Sequence, residues 1–70
     1  MLLVEKERKR LGLSQSKLAR LADVNASSMC RIERGKEQAY PHRGERIAKA
    51  LGWKGDAAEL FEEVEDGSAV

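Results

Sequence analysis

The 70-residue sequence predicts a small all-α domain of five helices, on three observations. A hydrophobic staple around an N-cap residue occurs twice, as Leu13-Ser14 with Leu18 and as Val24-Asn25 with Met29, eleven residues apart. Apolar residues recur at three- and four-residue spacing, drawn from Leu, Val, Ile, Ala and Met, with only one Trp, one Tyr and one Phe in the chain. Glycines stand where three of the periodic segments stop, at Gly12, Gly35 and Gly52.

The first helix is predicted from Leu2 to about Leu11, with Leu3, Val4 and Leu11 near one face. Its middle turn, Glu7 and Arg8, lacks apolar side chains, so one charged stem there must lie along the core. Ser14 caps a second helix of about eight residues that turns Leu18, Ala19 and Ala22 inward. Only Asp23, Val24 and Asn25 separate it from the third, whose Met29 and Ile32 face inward and which stops at Gly35. After the loop KEQAYP, Pro41 suits the opening turn of a fourth helix running to Leu51, with a buried stripe of Ile47, Ala48, Ala50 and Leu51. Asp56 and Glu59 read as a capping box for a fifth α-helix over DAAELFEEV, with Leu60, Phe61 and Val64 as its apolar face. Trp53 is expected in the core, with a dimer face as its open alternative, and the domain spans residues 1–66, leaving a tail at 67–70 with no reason to be ordered.

The net charge of +1 conceals an asymmetry. Residues 1–50 carry twelve Lys and Arg against six Asp and Glu, whereas residues 51–70 carry one against six. A basic body suits approach to a polyanion, while the acids solvate the last helix. One Cys and one His furnish neither an internal disulfide nor a three- or four-ligand metal site. Four apolar residues before the first charge are too few for a signal peptide or a membrane span, so a cytoplasmic location is expected. No nucleophile with a base, no phosphate-cradling glycine loop and no carboxylate pair set by spacing is present. The expectation is a protein that is not an enzyme, with no cofactor and no small-molecule ligand.

The stretch GLSQSKLARLADVNASSMCRIERGK, followed by IAKALG, resembles the phage-repressor and Cro-type (lambda-repressor-like) helix-turn-helix domains over about residues 3–64. The parts that carry the resemblance are Leu13-Ser14-Gln15, Leu18-Ala19, Val24 in the corner and Ile32-Glu33-Arg34-Gly35. It implies a compact five-helix fold in which helices 2 and 3 form the DNA-reading unit, with the helix at about residues 26–34 in the major groove of double-stranded DNA. A single module of this size grips DNA weakly, so a homodimer is expected, through helices 4 and 5 with Trp53, Leu60 and Phe61.

Position by position, the resemblance implies base contacts from Ala26, Ser27, Cys30 and Arg31. Phosphate contacts would come from Gln15, Arg34, Lys36, Arg43 and Arg46, with Arg10 as a further candidate. Arg8 and Glu33 match a structural ion pair between the first and third helices. Many relatives carry long amides where this chain has Ala26 and Ser27. Ala26 offers only apolar contact to a thymine methyl, Ser27 bonds either kind of base edge, and Cys30 is a small groove-facing residue. Arg31 is the one long reader, suited to guanine O6 and N7, with a phosphate clamp as its open alternative. The loop from Lys36 to Pro41 is about one residue longer than in the phage proteins. The function so implied is a sequence-selective DNA-binding transcriptional regulator. A protein-interaction module of the same fold, an antitoxin or adaptor, stays open because fold does not settle function.

Overall fold

The computed structural model of the chain describes residues 1–39 and 41–65. The polypeptide forms α1 (Leu3–Arg10), α2 (Gln15–Ala22), α3 (Ala26–Glu33) and α4 (His42–Leu51), then a 3-10 helix (Ala57–Phe61). Among the described residues there is no β-strand, only an isolated antiparallel bridge between Leu2 and Glu63. No described helix is long and apolar enough to cross a membrane. The tail expected at 67–70 lies outside the described residues.

The core is the meeting point of one stripe from each helix. Val4, Leu18, Met29, Ile32, Ile47 and Leu60 are its largest fully buried side chains, and Ala19, Ala22 and Ala48 let the backbones of α2 and α4 approach. Gly44 is also buried on α4. Leu11, expected on the apolar face of α1, is instead 42% exposed. The helix stops at Arg10, so Leu11 falls in the turn rather than on the stripe. Arg8 is the charged stem in the middle turn, buried with Val4.

All four described α-helices finish with the same motif. A residue in left-handed backbone follows the last turn, Gly12, Asp23, Gly35 or Gly52, and the next amide folds back onto the helix. Leu13 donates to Arg8 O at 3.1 Å, Val24 to Ala19 O at 2.8 Å, Lys36 to Arg31 O at 2.8 Å and Trp53 to Ala48 O at 2.9 Å. Asp23 is the one non-glycine among them, with φ of 56°. Aspartate tolerates this region better than most residues because its short side chain can bond locally. The stop drops Val24 onto the core and sets Asn25 to cap α3.

The fifth element departs from the expected α-helix. It is a 3-10 helix of five residues, with Asp56 accepting from the Ala58 amide, and it ends at Phe61 instead of continuing to Val64. The cause lies at the other end of the chain. Leu2 provides no side-chain cap for α1, and the Leu3 amide is satisfied by Glu62 O at 3.0 Å. Val64 donates to Met1 O at 2.8 Å, so residues 62–64 run extended beside the N-terminus. Continuing the helix would forfeit both bonds. Leu60 is wholly buried, Trp53 and Phe61 are half-buried against the core, and the indole Nε1 donates to Asp56 O at 3.1 Å.

Candidate nucleic-acid interface

The corner Asp23-Val24-Asn25 turns the chain from α2 into α3, and two side-chain caps fix the starts of those helices. Ser14 Oγ accepts from the Lys17 amide at 3.0 Å and Asn25 Oδ1 from the Ser27 amide at 2.8 Å. Below α3, Met29, Ile32 and Glu33 are buried; on its far side Ala26, Ser27 and Arg31 are exposed, with Ser28 and Cys30 half-buried between the two faces. An exposed face of short side chains with one long cation leaves room for another macromolecule to approach the helix closely.

The helix is fixed from beneath by a buried cluster centred on Glu33. Arg8 Nε donates to one carboxylate oxygen at 2.8 Å and Arg8 Nη2 to the other at 3.2 Å. That second oxygen also accepts from Gln15 Nε2 at 2.9 Å. Arg8 Nη1 donates to Leu13 O at 2.7 Å. The Glu33 side chain is only 1% exposed, so all its attraction to Arg8 acts in a poorly screened setting. This cluster ties α1, the first residue of α2 and the last residue of α3 together. Gln15 is half-buried, and its remaining amide proton and carbonyl are not used by Glu33. Its link to Glu33 spans 18 residues and has no signature in the sequence.

A second ionic cluster lies on the rim of α3. Arg31 Nε donates to Glu37 Oε1 at 2.7 Å, Arg43 Nη1 donates to Glu37 Oε2, and Arg43 Nη2 donates to Gln38 O. The hydrogen bond from Arg31, then that from Arg43, holds the Glu37 carboxyl well below the ordinary carboxylate range, at about 2. Glu37 is the residue sequence reasoning missed. It lies six residues from each arginine, a spacing with no helical meaning, and only the chain reversal at Gly35 brings the three together.

The remaining cations divide by environment. Arg34 and Lys36 are exposed just past the end of α3. Arg46 reaches from α4 to the corner, with Nε donating to Ala22 O at 3.0 Å and Nη2 to Asp23 O at 3.4 Å. It thereby caps the negative end of α2. Arg10 pairs with Glu7 on the same helix, a hydrogen bond that raises the arginine's pKa. The structure thus brings the four expected base-reading positions onto one helix, while three of the five expected phosphate contacts, Gln15, Arg43 and Arg46, already hold partners within the chain. Leu60, expected at a dimer face, is sealed in the protein's own core.

A short helix, anchored from below and reached through a three-residue corner, with an open far face and cations past its end, defines a DNA-binding helix-turn-helix module. The sequence model of the helix-turn-helix domain family matches residues 3–61, and the chain belongs to that family. No curated protein matches the chain, and no solved structure does so.

Proposed function

We propose that the protein is a sequence-selective, non-enzymatic transcriptional regulator of the phage-repressor and Cro type, inserting α3 into the DNA major groove as a homodimer in the cytoplasm. The observation that carries the reading is the two-sidedness of α3: Met29, Ile32 and Glu33 fix it to the body, while Ala26, Ser27 and Arg31 stay exposed. Ala26 and Ser27 contact base edges at the helix start, Cys30 adds a small contact, and Arg31 supplies the long one. Arg34 and Lys36 carry the phosphate contacts past α3; Gln15 joins from the start of α2, where helix amides also favour an anion. Arg43 and Arg46 reach phosphate only with the guanidinium N–H donors left over from their internal bonds.

Selection of bound sites from a random DNA library, followed by retardation assays across a salt series, tests this. The expected result is a palindrome with half-sites about one helical turn, roughly 34 Å, apart, bound by two chains with affinity that falls steeply as salt rises. An adaptor or antitoxin that meets protein instead would enrich no site and show little retardation even at low salt, and that outcome would replace the present reading.

A further inference from the structure

We propose that Glu37 is a positioning residue for base recognition, gripping the Arg31 guanidinium by its Nε so that the opposite edge, between the two terminal nitrogens, is presented to a guanine. The inference rests on the reading of α3 as the groove helix and adds a residue outside that helix to the recognition machinery.

The geometry restricts Arg31 to one kind of contact. A guanidinium has five N–H donors in a fixed plane. Glu37 Oε1 occupies the Nε–H at 2.7 Å, and Ser28 Oγ, one turn back, lies 3.5 Å from Nη2. The edge between Nη1 and Nη2 stays open, and its two parallel donors match the O6 and N7 acceptors of guanine. The Arg31 side chain remains 53% exposed, so the held plane is still within reach of a ligand. An unrestrained arginine on a helix surface samples many rotamers and finds phosphates as readily as bases.

Glu37 is itself held. Its second oxygen accepts from Arg43, which is braced in turn on Gln38 O. Arg43 therefore supports the reader indirectly from the first turns of α4. The arrangement also offsets charge where phosphate attraction would be blind to sequence: Glu37, shared between Arg31 and Arg43, leaves the cluster at a net charge of +1 rather than +2 beside the DNA backbone. What Arg31 then contributes is discrimination between bases. The low pKa of Glu37 means that the carboxylate is ionised throughout the neutral range.

The test compares wild type, Arg31→Ala, Glu37→Ala, Glu37→Gln and the double variant Arg31→Ala/Glu37→Ala. Each is assayed on a library-selected site, on that site with single base-pair changes, and on unrelated DNA. Thermal melts confirm that each variant is folded at the assay temperature. Arg31→Ala is expected to lose discrimination at one base pair per half-site by roughly 5- to 150-fold. Glu37→Ala is expected to lose most of the same discrimination at the same base pair and to bind unrelated DNA more tightly. Its log–log salt slope should steepen by up to about 0.9 for each arginine that finds a phosphate. Glu37→Gln, which keeps an acceptor but no charge, falls between the two. In the Arg31→Ala background, removing Glu37 changes base preference no further, because the coupled pair is already broken. If Arg31→Ala relaxes one base position and Glu37→Ala leaves it intact, the positioning role is overturned while the groove-helix reading survives. If Arg31→Ala alters no base preference, Arg31 reads no base and the positioning role falls, while the groove-helix reading stands or fails separately on whether the library yields a selected site at all.

Discussion

Glu33 and Glu37 lie four positions apart in the sequence, and each is a carboxylate clasped by the donors of two residues from other parts of the chain. Glu33 ends α3 on its inner side and is 1% exposed; Glu37 sits on the outer rim at 24%. The inner cluster joins Arg8 and Gln15 from two other helices, so it determines where α3 stands relative to the body. The outer cluster joins Arg31 to Arg43, so it bears on what α3 holds out. Similar chemistry serves two purposes because burial changes what a broken bond leaves behind. Inside, a partner's removal strands a charge that water cannot reach; outside, solvent takes the partner's place.

The largest expected effect follows from that asymmetry. Arg8→Ala strands Glu33 with only Gln15 as a donor and also leaves Leu13 O without its guanidinium partner. A loss of about 3–5 kcal/mol is expected, which urea denaturation at neutral pH would measure. At about 4–8 °C per kcal/mol for a domain of this size, the melting temperature should drop by more than ten degrees or so. Replacing both members with apolar residues, Arg8→Met with Glu33→Leu, should recover most of the loss, since no charge is then buried. Recovery would be incomplete because Leu13 O and the Gln15 amide still lack partners. A double variant no more stable than Arg8→Ala would show that the cluster supplies attraction, not merely orientation.

How far each cluster could be foreseen from the sequence differs for the same reason. The stripes of α2, α3 and α4 were legible because Leu18, Ala22, Met29, Ile32, Ile47 and Leu51 recur at the helical period, and burial follows period. The shortage of apolar residues in the middle turn of α1 pointed to a charged stem in the core, and Arg8 is that stem. Both depend on local spacing. The outer cluster depends on how the chain reverses after Gly35, and no periodicity encodes it. The final element departs from the expected α-helix for a related reason. Asp56 does cap a helical turn, as its residue type suggests, yet the helix gives way at Glu62 because that carbonyl is needed by Leu3, 59 positions earlier. Demand from distant backbone overrode a sound local signal.

A smaller effect, expected at the outer cluster alone, is a dependence of stability on acid. Glu37 has a folded-state pKa of about 2 against an ordinary value of 4.5. A depressed carboxylate contributes stability that is fully present above its unfolded pKa and is lost as pH falls through its folded one. Denaturation midpoints of wild type and Glu37→Gln should therefore differ by a constant amount near pH 6. The gap should shrink between about pH 4.5 and 2 and close below that range. A gap unchanged down to pH 2 would mean that the carboxylate is not clasped by Arg31 and Arg43 in solution.

The smallest effect concerns salt, and it separates the clusters most directly. Screening acts over about 8 Å at physiological ionic strength and about 3 Å at 1 M, but only where ions can approach. At Glu37, with a quarter of its side chain open and Arg31 half exposed, salt can enter between the partners. At Glu33, with its side chain sealed, it cannot. Raising salt from 0.1 to 1 M, in urea titrations, should therefore narrow the stability gap between wild type and Glu37→Gln. The gap between wild type and Arg8→Ala should hold nearly constant over the same series. The comparison uses differences between proteins at equal salt, so the general effect of salt on apolar burial cancels. If both gaps narrowed together, ions would have to reach Glu33, and the inner cluster could not be the sealed anchor on which the position of α3 depends.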